Sequence, residues 1–445
     1  MSWTLATVAL AVLAVAAVSR RLSGGPITPA MLFVALGLLV GPRVLGEVDV
    51  SPTGAGVRVL AEATLALVLF ADAARIDLRA LRRDYGLPVR LLSLGLPLTI
   101  AAGAACAALV FGSLSIAEAL VLAVLLAPTD AALGQAVVTE PRLPMRVRQG
   151  LNVESGLNDG ICVPLLLIVL AAADADAHAT SSHHAVTVVV EEIGYGILGG
   201  VAAGVAAAAI VVVAGRRGLI ADSWLRVIPV AAAALAYGVA DPLGGSGFIA
   251  AFVAGLCFGS LVGRQSEAIA GFNEELGQLL NGVTFVAFGA VLLGPALGDM
   301  TWHVALYAVL SLTVVRMVPV MVALIGSGAR AQTVGFVGWF GPRGLASIVF
   351  AILVLQEAQL PHTDTILLAT YVTVGLSVLL HGLSASPLAQ PYARWYEANR
   401  RGAMESRPVL GQRPRGAIVA VARAERQPGE ALGEEADAHP TTPVG

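Results

Sequence analysis

The chain is a succession of apolar runs of about twenty residues joined by short polar links, and that pattern leaves few folds open. A run of that length spans the hydrocarbon core of a bilayer as an α-helix, which satisfies its backbone N–H and C=O groups internally. Composition agrees with this reading: 57% of the 445 residues are hydrophobic and 13% are charged. Soluble domains carry roughly 25% charged residues. The mean hydropathy is +0.81.

An all-α polytopic membrane protein is therefore expected, with about thirteen spans. They lie near 2–18, 28–46, 56–74, 88–111, 116–138, 149–173, 186–214, 222–240, 245–263, 270–294, 302–325, 332–357 and 364–386. The first run lacks a basic start and is followed by Ser19-Arg20-Arg21, so it reads as a retained span and not as a signal peptide. Alternate links carry the arginines: Arg20 and Arg21; Arg75, Arg79, Arg82, Arg83 and Arg90; Arg142, Arg146 and Arg148; Arg216, Arg217 and Arg226; Arg264; Arg330. Basic loops stay cytoplasmic, which puts the N-terminus outside the cell membrane and the C-terminus inside. All basic residues are arginine, as codon usage in a GC-rich bacterium would produce. The net charge of −3 gives no sign of a nucleic-acid partner. Cys106, Cys162 and Cys257 sit inside apolar runs, so no disulfide framework or metal cluster is implied. Residues 1–388 are read as the transmembrane domain. From 389 to 445 the chain turns rich in Arg, Glu, Pro and Gly, and a disordered cytoplasmic tail is expected.

Three acids lie where lipid-spanning segments should have none. Asp130 follows Pro128-Thr129 in the fifth run, and Glu154 and Asp159 bracket Ser155-Gly156-Leu157-Asn158 in the sixth. A charge at bilayer depth costs at least ~2.5 kcal/mol on insertion scales and marks an ion or proton pathway by default. Pro128 breaks the fifth helix, and Gly341-Pro342-Arg343-Gly344 breaks the twelfth. Seven spans separate the breaks, as an inverted repeat of six spans with one linking span requires. Paired interruptions of this kind point to a transporter's midplane site. Asp130 and Arg343 can neutralise the partial charges that opposed half-helices leave at their ends.

Spacing in the sixth run sorts the remaining residues. Ser155 and Asp159 are four apart and share a helix face, so both can point at a site formed with Asp130. Glu154 faces elsewhere and needs a buried cation; Arg316 is the favoured candidate and Arg343 the alternative. Burial and a neighbouring carboxylate both favour the protonated acid. A coupled Asp130–Asp159 pair can therefore bind a hard cation only after losing protons, which is the logic of exchange.

These residues resemble a known family. Thr129-Asp130 on a broken fifth helix, Glu154-Ser155 with Asn158-Asp159 on the sixth, Arg316, and Gly341-Pro342-Arg343-Gly344 are similar to the monovalent cation–proton antiporters that include the sodium/proton exchangers. The resemblance covers roughly residues 5–388. It implies a homodimer with a dimer domain and a six-helix core transport domain, an elevator-type cycle, no cofactor, and a role in pH homeostasis. It further implies that Asp159 is the essential cation and proton site. Asp130, the Thr129 carbonyl and the Ser155 hydroxyl would help ligate Na⁺, and Asp72 would approach the site through water. Asn158 stands where electrogenic relatives carry a second aspartate, which implies electroneutral one-for-one exchange. The Gly341-Pro342-Arg343 form departs from the commoner Gly-Leu-Arg-Gly.

Plainer roles compete with these. Asn158 can serve as an interhelical hydrogen bonder, Ser155 as a packing residue, and Asp72 as a solvated partner of Arg75. Glu62 and Glu118 are expected at the outer interface. Asn273, Glu274 and Glu275 fall at the cytoplasmic start of the tenth span, and His178, His183 and His184 in a solvated outer loop. A channel, an enzyme and a cation-coupled organic-anion symporter fit the acids and breaks less well, and no catalytic motif is present. Exchange of K⁺ on the same scaffold is the nearest alternative to Na⁺ or Li⁺.

Overall fold

Helices follow the apolar runs closely. The computed structural model describes residues 2–22, 25–46, 51–76, 86–178, 182–263, 265–399 and 405. Its helices are α1 (Ser2–Leu22), α2 (Pro29–Val40), α3 (Ala55–Ala74), α4 (Leu87–Phe111, with a π turn), α5 (Ile116–Leu125) and α6 (Met145–His178). Next come α7 (Ser182–Ala209), α8 (Ile228–Ala240), α9 (Gly247–Val262), α10 (Gln265–Ala287), α11 (Trp302–Leu312) and α12 (Val314–Ala323). The last three are α13 (Ala331–Trp339), α14 (Leu345–Glu357) and α15 (Thr363–Ala398). No strand occurs among the described residues. Eight of these segments are long and apolar enough to cross a membrane, and four more helices are apolar but shorter.

Local chemistry sets several starts. Thr28, Ser115, Ser246 and Thr301 each place a hydroxyl on a backbone N–H of the helix that follows. At Ser115 the cap is reciprocal, because the Glu118 carboxylate returns to the Ser115 N–H at 2.9 Å.

The helices pack as two groups. One contains α4, α5, α6, α11, α12, α13, α14 and α15; the other contains α2, α3, α7, α8, α9 and α10. Glycines let the second group close tightly. A Cβ at Gly255 or Gly259 of α9 would collide with the Phe70 or Ala74 carbonyl of α3, and Gly204 of α7 is as tight against Ala254. Helix α6 lies between the groups, touching α5 on one side and α3, α7 and α9 on the other.

Both expected breaks are present. Helix α5 ends at Leu125, and the chain stays non-helical until a short turn at Gln135–Val138. Helix α13 ends at Trp339 and α14 begins at Leu345. Pro128 and Pro342 account for both gaps, since each lacks an N–H and pushes the preceding residue out of the helical region.

Helix α15 runs through Pro387 and Pro391 to Ala398, past residue 388. Most of the expected tail lies outside the described residues, but Glu405 is buried against α13. It accepts from Thr333 Oγ1 at 2.6 Å and from the Arg330 N–H at 3.1 Å. Glu118, expected at the outer interface, is 3% exposed and also accepts from the His362 N–H at 2.9 Å. The side chains of His178, His183, His184, Asn273 and Glu274 lie outside the described residues, as do Arg79, Arg82 and Arg83.

Candidate functional site

The two unwound segments meet main chain to main chain: the Asp130 N–H donates to the Pro342 carbonyl at 2.7 Å. Helix α6 fastens the first segment from the side. Ser155 Oγ donates to the Thr129 carbonyl at 2.6 Å and accepts from the Ala131 N–H at 2.8 Å. One turn along, Asn158 Nδ2 donates to Thr129 Oγ1 at 2.8 Å. Ser155 and Asn158 are therefore both ligand candidates and braces for the break, and the two roles are compatible. Each carbonyl and hydroxyl oxygen has two lone pairs, and these bonds use one on Thr129 O and one on Ser155 Oγ. Asn158 Oδ1 is buried with no hydrogen-bond partner among the described residues.

Asp159 is 8% exposed, on the α6 face it shares with Ser155. Five residues further, Pro164 removes the N–H that the Gly160 carbonyl would otherwise take, loosening the helix beside this acid. Asp72 of α3 approaches the same helix at Gly156, where a Cβ would sit 3.2 Å from the Asp72 Cβ. Asp130 serves the second break. Its Oδ2 accepts the Leu345 N–H, the first of α14, at 3.0 Å, and its Oδ1 accepts the Ala132 N–H at 2.8 Å. A carboxylate at a helix N-terminus stabilises the orphan donors there. Only glycine fits at 344, because any Cβ would run into the Asp130 carboxylate.

The arginines divide the remaining work. Arg316 grips Glu154 with both terminal nitrogens, at 2.6 and 3.0 Å, and their side chains are only 4% and 3% exposed. Arg343 is fully buried, and its Nη1 donates to the Gly341 carbonyl at 2.9 Å, two residues past the end of α13. Its cation thus lies at the negative end of one half-helix while Asp130 lies at the positive end of another. Gly341 in turn leaves room for the Arg316 guanidinium, which a Cβ there would strike. A small, partly open pocket reaches the crossing, lined by Thr129, Asp130, Ser155, Phe340, Pro342 and Val138. Among the described residues no group of three or more His, Cys, Asp or Glu could hold a metal ion. Oxygen donors alone suit a hard monovalent cation, not zinc.

Sequence reasoning missed Ser377 and His381, which bind the second break from α15. A serine and a histidine four residues apart in the last apolar run were the available signal, and nothing in the sequence tied them to the second break. The Ser115–Glu118 capping box was readable; its link to His362 was not.

An all-helical membrane protein with two crossed, interrupted helices and buried acids is the architecture of a secondary transporter. The chain belongs to the sodium/hydrogen exchanger transmembrane family, which it matches over residues 8–390. It is 26% identical over 375 residues to the K(+)/H(+) antiporter NhaP of Alkalimonas amylolytica, covering 84% of this chain and 63% of that protein. The chain thus spans less than two thirds of that relative's length. It is 29% identical over 357 residues to the Na(+)/H(+) antiporter NhaP of Pseudomonas aeruginosa, covering 73% of this chain and 79% of that one. The fold is similar to the sodium proton antiporter MjNhaP1 of Methanocaldococcus jannaschii, with a TM-score of 0.73 at 21% identity over 88% of this chain and 98% of that structure.

Proposed function

We propose that this protein exchanges Na⁺ for H⁺ one for one across the cell membrane, with both ions competing for Asp159. The observation that carries this reading is a buried acid on the face of α6 whose Ser155 hydroxyl is pinned to the Thr129 carbonyl at the crossing. Thr129 O, Ser155 Oγ, Asn158 Oδ1 and the Asp159 carboxylate supply oxygens to a dehydrated cation. Asp130 helps ligate it while balancing the N-terminus of α14, and Asp72 tunes access from α3. A single mobile charge at Asp159 makes the exchange electroneutral, because Asn158 contributes no second proton.

In the same reading, the group built on α4–α6 and α11–α15 carries the site as an elevator, and the other group forms a homodimer. The arginine-bearing ends face the cytoplasm, with the N-terminus outside. The same oxygens would accept K⁺. The relative from Alkalimonas amylolytica, a K(+)/H(+) antiporter by name, keeps that second reading open.

Everted vesicles with a pH-gradient dye, given Na⁺, Li⁺ or K⁺ separately, test the function and rank the ions. In the protonated limit, the cation concentration for half-maximal exchange rises about tenfold per pH unit, ~1.4 kcal/mol per proton displaced. Asp159→Asn abolishes cation and proton flux together, since an amide neither titrates nor neutralises the ion. Asp130→Asn leaves little or no activity, and Asp72→Asn leaves exchange with a changed affinity or pH optimum. Full activity in Asp159→Asn would remove the site assignment, and a pH-independent sodium constant would remove the competition.

A further inference from the structure

The second break is held by a clamp that the chemistry of Asp159 does not use. Ser377 and His381 are four residues apart on α15 and so share a face. Ser377 Oγ accepts the Arg343 N–H at 2.7 Å and lies 3.2 Å from His381 Nδ1. The other imidazole nitrogen, Nε2, lies 3.0 Å from the Trp339 carbonyl. That carbonyl closes α13 and has lost its helical partner. The clamp thus seizes the chain immediately before and immediately after Phe340, Gly341 and Pro342. Within it stands the Pro342 carbonyl that receives the Asp130 N–H.

His381 Nδ1 also lies 3.0 Å from the Ser377 carbonyl, one turn back along α15. Both ring nitrogens thus face an oxygen that accepts, and these contacts hold the imidazole from both sides. His381 is 1% exposed, and the charged groups acting on it are Arg343 and Arg316, both cations. The Trp339 ring stacks on it at 5.2 Å between centroids and is itself held by its indole N–H on Ser384 Oγ at 2.9 Å.

We infer that His381, with Ser377, is a positioning residue for the cation site: it fixes the second break so that Pro342 O and the Leu345 N–H hold Asp130 and Thr129 in register with Asp159. The first break has its own brace in Ser155, four residues before Asp159. The second break has Ser377, four residues before His381. Proton exchange belongs to one brace and geometry to the other. This inference rests on the exchange reading above.

The test uses the full-length protein in everted vesicles, with Na⁺, or whichever cation drives flux in wild type, titrated from pH 6 to 9. Outer partners of metal ligands typically change affinity 10–100-fold. His381→Leu is therefore expected to raise the half-saturating cation concentration about tenfold while the maximal rate falls much less. Ser377→Ala shifts it in the same direction. His381→Gln, whose amide N–H reaches toward Trp339 as Nε2 does, stays within about twofold of wild type with an unshifted pH profile. That rescue separates positioning from general destabilisation, and it holds with Ser377→Ala even if His381→Leu fails to accumulate. Wild-type half-saturation in both His381→Leu and Ser377→Ala overturns the inference. So does a His381→Gln protein as impaired as His381→Leu with a flattened pH profile, which would make the ring a proton carrier. No cation-driven flux in wild type refutes the exchange reading and this inference with it, whereas wild-type flux without a shift in the variants refutes the positioning role alone.

Discussion

Replacing Glu154 with glutamine strands the Arg316 guanidinium in a place it cannot leave. Two hydrogen bonds, at 2.6 and 3.0 Å, join the pair, and neither side chain is more than 4% exposed. Two unit charges ~4 Å apart attract by about 4 kcal/mol at an effective dielectric of ~20. The desolvation already incurred is not recovered when only one partner goes. Breaking a buried pair from one side therefore costs ~3–5 kcal/mol, a large share of the ~5–15 kcal/mol that holds a domain folded. Arg316 Nε has no hydrogen-bond partner among the described residues, so that nitrogen offers no alternative anchor for the cation. Arg316→Gln is expected to cost as much, now leaving the carboxylate alone. The double variant leaves two amides, which can bond to each other, and recovers at least ~2 kcal/mol relative to the sum of the single losses. Thermal unfolding of the purified protein in one detergent reads all four corners of the cycle. Purely additive shifts would refute the pairing, and Glu154 should then be crossed with Arg343.

Other consequences can be checked separately. Gly344→Ala drives a methyl group into the Asp130 carboxylate and is expected to abolish exchange, whereas Gly335→Ala in α13, where a Cβ meets nothing within 4 Å, is expected to keep activity and gain up to ~1 kcal/mol. Wild-type activity in Gly344→Ala would mean that the carboxylate has room to move. In proteoliposomes the exchange rate should ignore a clamped membrane potential, and a rate that follows the potential would sink one-for-one exchange. Glu405→Ala removes the acceptor at the start of α13 and should cost ~0.5–2 kcal/mol of thermal stability. Thr333→Ala should show partial overlap with it in a double variant; full additivity would separate the two.

Much of this architecture was legible because its devices are local. Pro128 and Pro342 announce their breaks by removing a donor, and the four-residue spacing from Ser155 to Asp159 follows from helical geometry alone. What could not be read was long-range or compensated. Glu154 and Arg316 lie 162 positions apart, and only the apolar run around Arg316 favoured it over Arg343 as the partner. His381 acts on Trp339, 42 positions away, through a carbonyl that carries no side-chain signature. Helix α15 runs on past residue 388 for a different reason: Pro387 and Pro391 look like breakers, but both are exposed and one turn apart, so the carbonyls they free lie on one side of the helix. The cap from Glu118 to Ser115 is visible in the sequence, but the contact of Glu118 with His362, 244 positions on, is not.

The bond from the Asp130 N–H to the Pro342 carbonyl has an evolutionary corollary. It is made entirely of peptide groups, so mutation at either position leaves it available to nearly every side chain. Drift in the neighbouring residues can change the size and charge of the proposed cation site without breaking this link between the two unwound segments. Among single replacements at these two positions, only Asp130→Pro deletes the donor itself. Selectivity can therefore diverge among descendants while the crossing persists, and alignment of distant relatives is best anchored on these two backbone positions and not on the acids beside them.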